Sequence, residues 1–402
     1  MKKNTFILLF STILLFSSHK INAQWTQQTS PTSSKLEGLY FTDSNIGFTS
    51  GSTTQMYKTT NGGQTWTSVG NYPARDIHFV DANNGYASSA AGAANGTMKK
   101  TTNGGTTWSA ITPPNSSAYL GVFATSATTA YFINTEDKVI KSTNSGTTLS
   151  SYTIPLTTPG SQNLTDIFFT DSNTGFICAQ GGKIFKTTNA GATWTDLAVN
   201  NSTTLNAVFF INTATGYVAG TGGKILKTTD GGTTWTDKST PAVAALNAIR
   251  FFDANNGLAV GLSGKIFRTV NGGDTWIAEE SGTTSHLYNI FYLSASSAVI
   301  VGDNGTILKN VNVLSGNEFI KNNDFAFFPN PVVAASTLTV SNFNSYKNLT
   351  LEIYNTNGQL LKKDAIKSDQ YQLNKSDYGS GIYLVHLKED NQTIKTLKFI
   401  VN

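Results

Sequence analysis

Few residues in this chain could do chemistry. Asp, Glu, Lys and Arg together make up 13% of its 402 residues, with four histidines and one cysteine. Two carboxylates facing each other would suffice to cleave a glycosidic bond. Carboxylates beside an arginine would bind a polar ligand. Glu37, Arg75, Asp76, Glu136 and Asp137 are the candidates. HExxH, GxSxG and phosphate-loop patterns are absent. His78 stands where related segments carry Tyr40, Phe123, Phe168 or Phe209, so it reads as a packed aromatic substitute. Cys178, in FICAQ, reads as a small core residue. One cysteine excludes an internal disulfide and a cysteine-based zinc site. We expect no metal and no cofactor.

Residues 1–23, MKKNTFILLFSTILLFSSHKINA, have two lysines, an apolar run from Phe6 to Phe16 and a polar stretch ending at Ala23. That is the layout of a secretory signal peptide. The run is too short to span a bilayer, which needs about 20 residues, and no later stretch is long and apolar enough. The leader holds three lysines and no acid. The remaining 25 basic and 24 acidic residues nearly balance, so nucleic-acid binding is not expected. The rest is rich in Gly, Thr and aromatics, a mixture suited to short strands and tight turns.

One phrase recurs. It reads KTTNGGQTW from Lys58, KTTNGGTTW from Lys100, KSTNSGTTL from Lys141, KTTNAGATW from Lys186, KTTDGGTTW from Lys227 and RTVNGGDTW from Arg268. The spacing is 41 to 45 residues, and Lys309 follows 41 later without a Trp behind it. Trp25 lies 41 residues before Trp66. The chain therefore opens with the last strand of a unit and closes with the first three strands of one. The fold class is all-β: a seven-bladed β-propeller, residues 24–314, closed by strand exchange between its termini. In the fifth unit four strands read Leu205–Phe210, Tyr217–Gly220, Lys224–Thr229 and Thr234–Ser239, termed a to d from the channel outward.

The phrase T-x-N/D-x-G-x-T-W resembles the Asp-box (BNR) repeat of sialidases, sortilin-type propellers and the photosystem II stability/assembly-factor-like propellers, and most resembles the last. The resemblance assigns structural work to Asn61, Gly63 and Trp66, Asn103, Gly105 and Trp108, and Asn189, Gly191 and Trp194. The same holds for Asp230, Gly232 and Trp235, and for Asn271, Gly273 and Trp276. The Asn or Asp should bind turn amides, the Gly permit unusual backbone angles, and the Trp pack between blades. A D-x-N-x-G turn, which also recurs, looks like half a calcium loop but lacks the following Glu. A sialidase needs three arginines around a carboxylate. The chain has Arg75, Arg250 and Arg268, and the last fills the repeated basic position. Sialidase activity is not expected.

Positions that diverge between units are free to do other work. At the start of strand a, one position runs Glu37, Arg75, Leu120, Thr165, Asn206, Asn247, Tyr288. The b–c turns of the first three units also depart from the short form of the others. We expect a protein or glycan ligand on this face, with Glu37, Arg75, Asp76, Glu136 and Asp137 supplying contacts; drift on a solvated surface is the alternative.

Residues 315–324 read as a linker, and 325–402 as a small antiparallel β-sandwich. Pro329-Asn330-Pro331, the hairpin around Gly358, Gly381 to Tyr383 and the ending with Lys398 resemble the type A C-terminal sorting domain of the type IX (Por) secretion system of Bacteroidota. The resemblance implies a translocon and a sortase-like peptidase as partners, and release or attachment at the outer-membrane surface after passage through the periplasm. The expected protein is a monomeric, non-enzymatic binding module. A glycan-active hydrolase or an adhesin remains the alternative.

Overall fold

The computed structural model describes residues 25–402 except 52, 54, 90–97, 116, 157–162, 200–201, 241–243, 295–296, 311–324, 329–331, 333–334, 341–342, 344–345, 357, 391 and 402. The expected leader, the 315–324 linker and Pro329-Asn330-Pro331 thus lie outside the described residues.

Seven four-stranded antiparallel sheets are the blades, among the described residues. In the fifth the strands run Leu205–Phe210, Gly216–Gly220, Ile225–Thr228 and Thr236–Asp237, hydrogen-bonded in chain order. The outer strand is shorter than expected, because only two residues pair before the chain leaves for the next blade. The seventh sheet combines Leu287–Ser294, Ser297–Gly302 and Ile307–Asn310 with Thr26–Gln27. Thr26 pairs with Lys309 and Gln27 with Leu308, so the N-terminal strand completes the last blade.

Blades join by one repeated mortise. An aromatic on strand b stacks on a phenylalanine ending strand a of the next blade: Phe48 on Phe79, Tyr131 on Phe169, Phe176 on Phe210 and Tyr217 on Phe251, with centroids 3.9 to 4.9 Å apart. That phenylalanine meets its own blade's Trp edge-on, as Phe169 does Trp194 at 6.0 Å. In the third blade both partners are smaller, Ala124 and Leu149. The box glycine closes over the neighbour's aromatic. A Cβ on Gly232, at φ +87°, would lie 2.9 Å from Phe176 Cε1. Glycine is needed there for space as well as for backbone angle. Strand-c lysines complete the joint by donating to a box carbonyl of the next blade: Lys58 to Gly104, Lys186 to Gly231 and Lys309 to Gly62, at 3.0, 2.7 and 2.7 Å.

The Asp boxes are self-contained knots. In the first, Gly63 N donates to Thr59 Oγ1 and Thr65 N to Asn61 Oδ1, at 2.9 and 3.0 Å. Trp66 Nε1 returns a bond to Gly63 O at 3.1 Å. The D-x-N-x-G turns are equally committed: Asp43 Oδ1 accepts from the amides of Asn45 and Ile46. Gly62 N donates to Asn45 O, so boxes and D-x-N-x-G turns share one face, as their connectivity predicts.

The C-terminal region has two sheets. Phe325–Phe328, Ala335–Val340 and Gln370–Asn374 form one. The other is ordered Leu360–Ala365, Thr350–Asn355, Gly381–Glu389, Gln392–Val401. Leu338, Leu351, Ile353, Val385, Leu387 and Phe399 fill the core between them. Gly358, at φ +78°, turns the Asn355–Gln359 hairpin, and Tyr383 donates its hydroxyl to Gly379 O at 2.7 Å. Lys398 pairs with Leu384 in the last two strands.

Candidate functional site: the axial channel

The inner strands line the propeller axis, and alternation decides what faces it. Counting from Leu205, residues one, four and six (Leu205, Val208 and Phe210) are buried between blades. Residues three and five face the channel. Residue two joins them through a β-bulge. In blades three to seven the register slips after the first residue, at Tyr119/Gly121, Leu164/Asp166, Leu205/Ala207, Leu246/Ala248 and Leu287/Asn289. A bulge leaves one residue unpaired and re-aims its side chain. Here it adds Leu120, Thr165, Asn206, Asn247 and Tyr288 to the channel mouth.

That mouth is a polar pocket of about 200 Å³, and all seven members of the divergent position line it: Glu37, Arg75, Leu120, Thr165, Asn206, Asn247 and Tyr288. Lys35 pairs with Glu37 at 2.9 Å and lies 4.2 Å over the Tyr288 ring. Three members also clasp the next blade. Thr165 Oγ1 donates to Leu205 O, Asn206 Nδ2 to Leu246 O and Asn247 Nδ2 to Leu287 O, at 2.6, 2.9 and 2.8 Å.

Of the five candidate contacts, the mouth gathers Glu37, Arg75 and Asp76. Glu136 and Asp137 sit in the third blade's b–c turn, outside its lining. Glu136 accepts from Asn115, Ser117 and Lys138, which holds its carboxyl below the usual range. Asp137 is buried at φ +59°. Glu136 thereby ties that turn to Asn115 and Ser117, ahead of strand a.

Deeper lies a belt of which sequence reasoning named only Asp76 as a contact: Asp76, Asp166 and Arg250, which line both the mouth and a second cavity. Position three is otherwise small (Gly38, Gly121, Ala207, Ala248) apart from Asn289. Asp76 accepts from the amides of Ile77 and, in the next blade, Val122, both at 2.9 Å. Asp166 accepts likewise from Ile167 and Val208, at 2.8 and 2.9 Å. Burial pushes both carboxyls up, Asp166 to about 7, with Arg250 opposing the rise. Comparing inner strands residue by residue exposes this belt, since two acids among small residues stand out.

The second cavity, about 370 Å³, runs to the a–b turns on the Asp-box face. Position five forms its wall: Tyr40, His78, Phe123, Phe168, Phe209 and Phe291, with Arg250 in the sixth blade. His78 packs between Phe123 and Tyr40, at 4.2 and 5.2 Å, and accepts from Ala124 N at 3.3 Å. It does replace a packed aromatic. Burial pulls its pKa down to about 3, so the ring is neutral at ordinary pH.

Among the described residues no cluster of three or more His, Cys, Asp or Glu side chains could hold a metal, and no helix is long and apolar enough to cross a membrane.

Comparisons with known proteins agree with this architecture. Residues 187–276 match the family described as photosynthesis system II assembly factor YCF48, and residues 326–402 match the secretion system C-terminal sorting domain. YCF48 from Cyanidioschyzon merolae is 20% identical, with TM-score 0.60 over 72% of this chain and 98% of that one. A YCF48 structure bound to D1 peptide has the same identity and score, over 72% and 97%. The GH74 enzyme of Niastella koreensis is 14% identical, with TM-score 0.62 over 93% and 74%. At these identities the likeness is one of fold. No curated protein matches. The sorting-domain match indicates export by the type IX system, to the cell surface or beyond it. The chain is thus an Asp-box β-propeller similar to the photosystem II assembly factors, carrying a C-terminal domain of the secretion-system sorting family.

Proposed function

We propose that this protein is a secreted or surface-held binding module without catalysis of its own, a monomer whose partner is a protein or a glycan. The ligand docks over the polar mouth. Glu37, Arg75 and Asp76 contact it, helped by the side-chain amide oxygens of Asn206 and Asn247. The signal peptide carries the chain across the inner membrane. The C-terminal domain then engages the translocon and is removed by a sortase-like peptidase.

One observation carries the binding reading. The mouth's carboxylates are committed: Asp76 and Asp166 each hold two backbone amides, and Glu37 holds Lys35. Such acids frame a recognition surface; hydrolysis needs an acid and a base free to face substrate. A relative bound to a peptide is consistent with a protein ligand. A second reading, a glycan hydrolase, draws on the raised carboxyl of Asp166 as a proton donor.

A glycan array and a peptide array probed with the mature chain test this. Binding that falls at least tenfold in the Glu37→Gln, Arg75→Ala double variant supports the mouth. Unchanged binding in that variant overturns it, and hydrolysis products that vanish with Asp166→Asn establish the enzyme instead.

A further inference from the structure

Two of the chain's three arginines face the channel, whereas Arg268 is tied to Glu279 at 2.6 Å. Arg250 sits at the floor of the aromatic cavity, replacing the ring that the other blades place there. A guanidinium offers five N–H donors. Among the described residues, its one hydrogen bond is from Nη1 to Ile249 O, at 3.1 Å, and Phe209 lies 5.5 Å from it as a stacking partner. Asp76 and Asp166 are near enough to feel its charge, but both oxygens of each are held by backbone amides. His78, being neutral, brings no competing positive charge.

An apolar cavity ending in one under-used guanidinium has a defined complement. Its walls favour hydrocarbon or an aromatic ring, and its volume lies in the range of small-molecule sites. Its floor favours a planar anion, which two parallel N–H donors of arginine can grip. A neutral apolar guest would strip water from those donors and return nothing. A cationic guest would meet the like charge of Arg250, and Asp76 and Asp166, which line the same cavity, offer it no free oxygen because backbone amides hold both oxygens of each.

We propose that the aromatic cavity is a second binding site, opening on the Asp-box face, for a small organic acid: a carboxylate carried on an apolar group. The carboxylate meets Arg250, and the apolar part packs among Tyr40, Phe123, Phe168, Phe209 and Phe291. This site faces the other way from the mouth and shares with it the Asp76, Asp166 and Arg250 belt.

Calorimetric titration of the mature chain with 3-phenylpropionate, octanoate, 3-phenylpropionamide and 3-phenylpropylamine tests it. The acids should bind at least tenfold more tightly than the amide or the amine. Arg250→Gln should abolish that preference while leaving amide binding within twofold. Phe209→Ala should weaken acid and amide alike. Arg75→Ala should leave acid binding intact, which separates this site from the mouth. Circular dichroism and thermal unfolding check that each variant folds. No binding of either acid, equal binding of acid and amine, or an acid preference surviving Arg250→Gln would overturn the proposal.

Discussion

The indole of Trp25 donates to Glu279 Oε2 at 3.0 Å, joining residues 254 positions apart. Glu279 also accepts from Arg268 Nε, at 2.6 Å. The seventh blade lacks an Asp box, so the strand-c cation of the sixth has no box carbonyl to reach. Arginine replaces lysine there and turns to Glu279, which in turn holds the N-terminal strand. This triad locks the seam where the chain's two ends share a blade.

Glu279→Ala should therefore cost about 3 kcal/mol, since removing one partner of a buried pair strands the other. Lys138→Ala, which breaks the more exposed pair with Glu136, should cost well under 1 kcal/mol. Urea unfolding of the mature chain checks both. Similar losses would mean that the seam is not a weak point.

The mortise predicts a contrast between two glycines of similar backbone angle. Gly222→Ala, at φ +69° with nothing within 4 Å of the new Cβ, should cost about 1 kcal/mol in backbone strain alone. Gly232→Ala adds a contact with the Phe176 ring and should cost about 3 kcal/mol. Thermal unfolding ranks them.

Two buried groups in the channel pull stability in opposite directions with pH. Burial raises Asp166 from 3.8 to about 7, so the folded state keeps a proton that the unfolded chain has lost. Its contribution is full below 3.8 and is lost as pH rises through about 7. Burial lowers His78 from 6.5 to about 3, so the unfolded chain binds a proton that the folded one refuses. That contribution is full above 6.5 and is lost as pH falls through about 3. Asp166→Asn should make stability climb more steeply with rising pH between those limits, and His78→Phe should make it fall. Denaturation midpoints across this window should separate the two slopes. Parallel profiles would refute the assignment.

Removing residues 325–402 should leave the propeller in the periplasm, because the sorting domain supplies the outer-membrane step. Cell fractionation with an antibody to the propeller reads this directly, and surface exposure of the truncated chain would refute it.

Much of this molecule is legible in its sequence because repetition amplifies weak signals. One Asp box is a turn motif. Six at nearly constant spacing, with Trp25 one interval ahead, dictate seven blades and the shared last sheet. The terminal motifs from Gly358 to Lys398 likewise mark the sorting domain. Local chemistry suffices there: box side chains bind their own turn, and strand alternation is a period of two.

The channel needed the tertiary structure. Glu37, Arg75 and Asp76 could be singled out in the sequence, but Glu136 and Asp137 resembled them while lying in a b–c turn outside the lining of the mouth. The bulges that swing residue two toward the axis have no signature in composition. Asp166 and Arg250, in the fourth and sixth blades with the fifth between them, look in the sequence like irregularities in two separate repeats. Ring geometry brings them to one belt with Asp76, and burial there raises the pKa of each acid. What one residue does at the axis depends on its six counterparts, and only closure of the ring places those together.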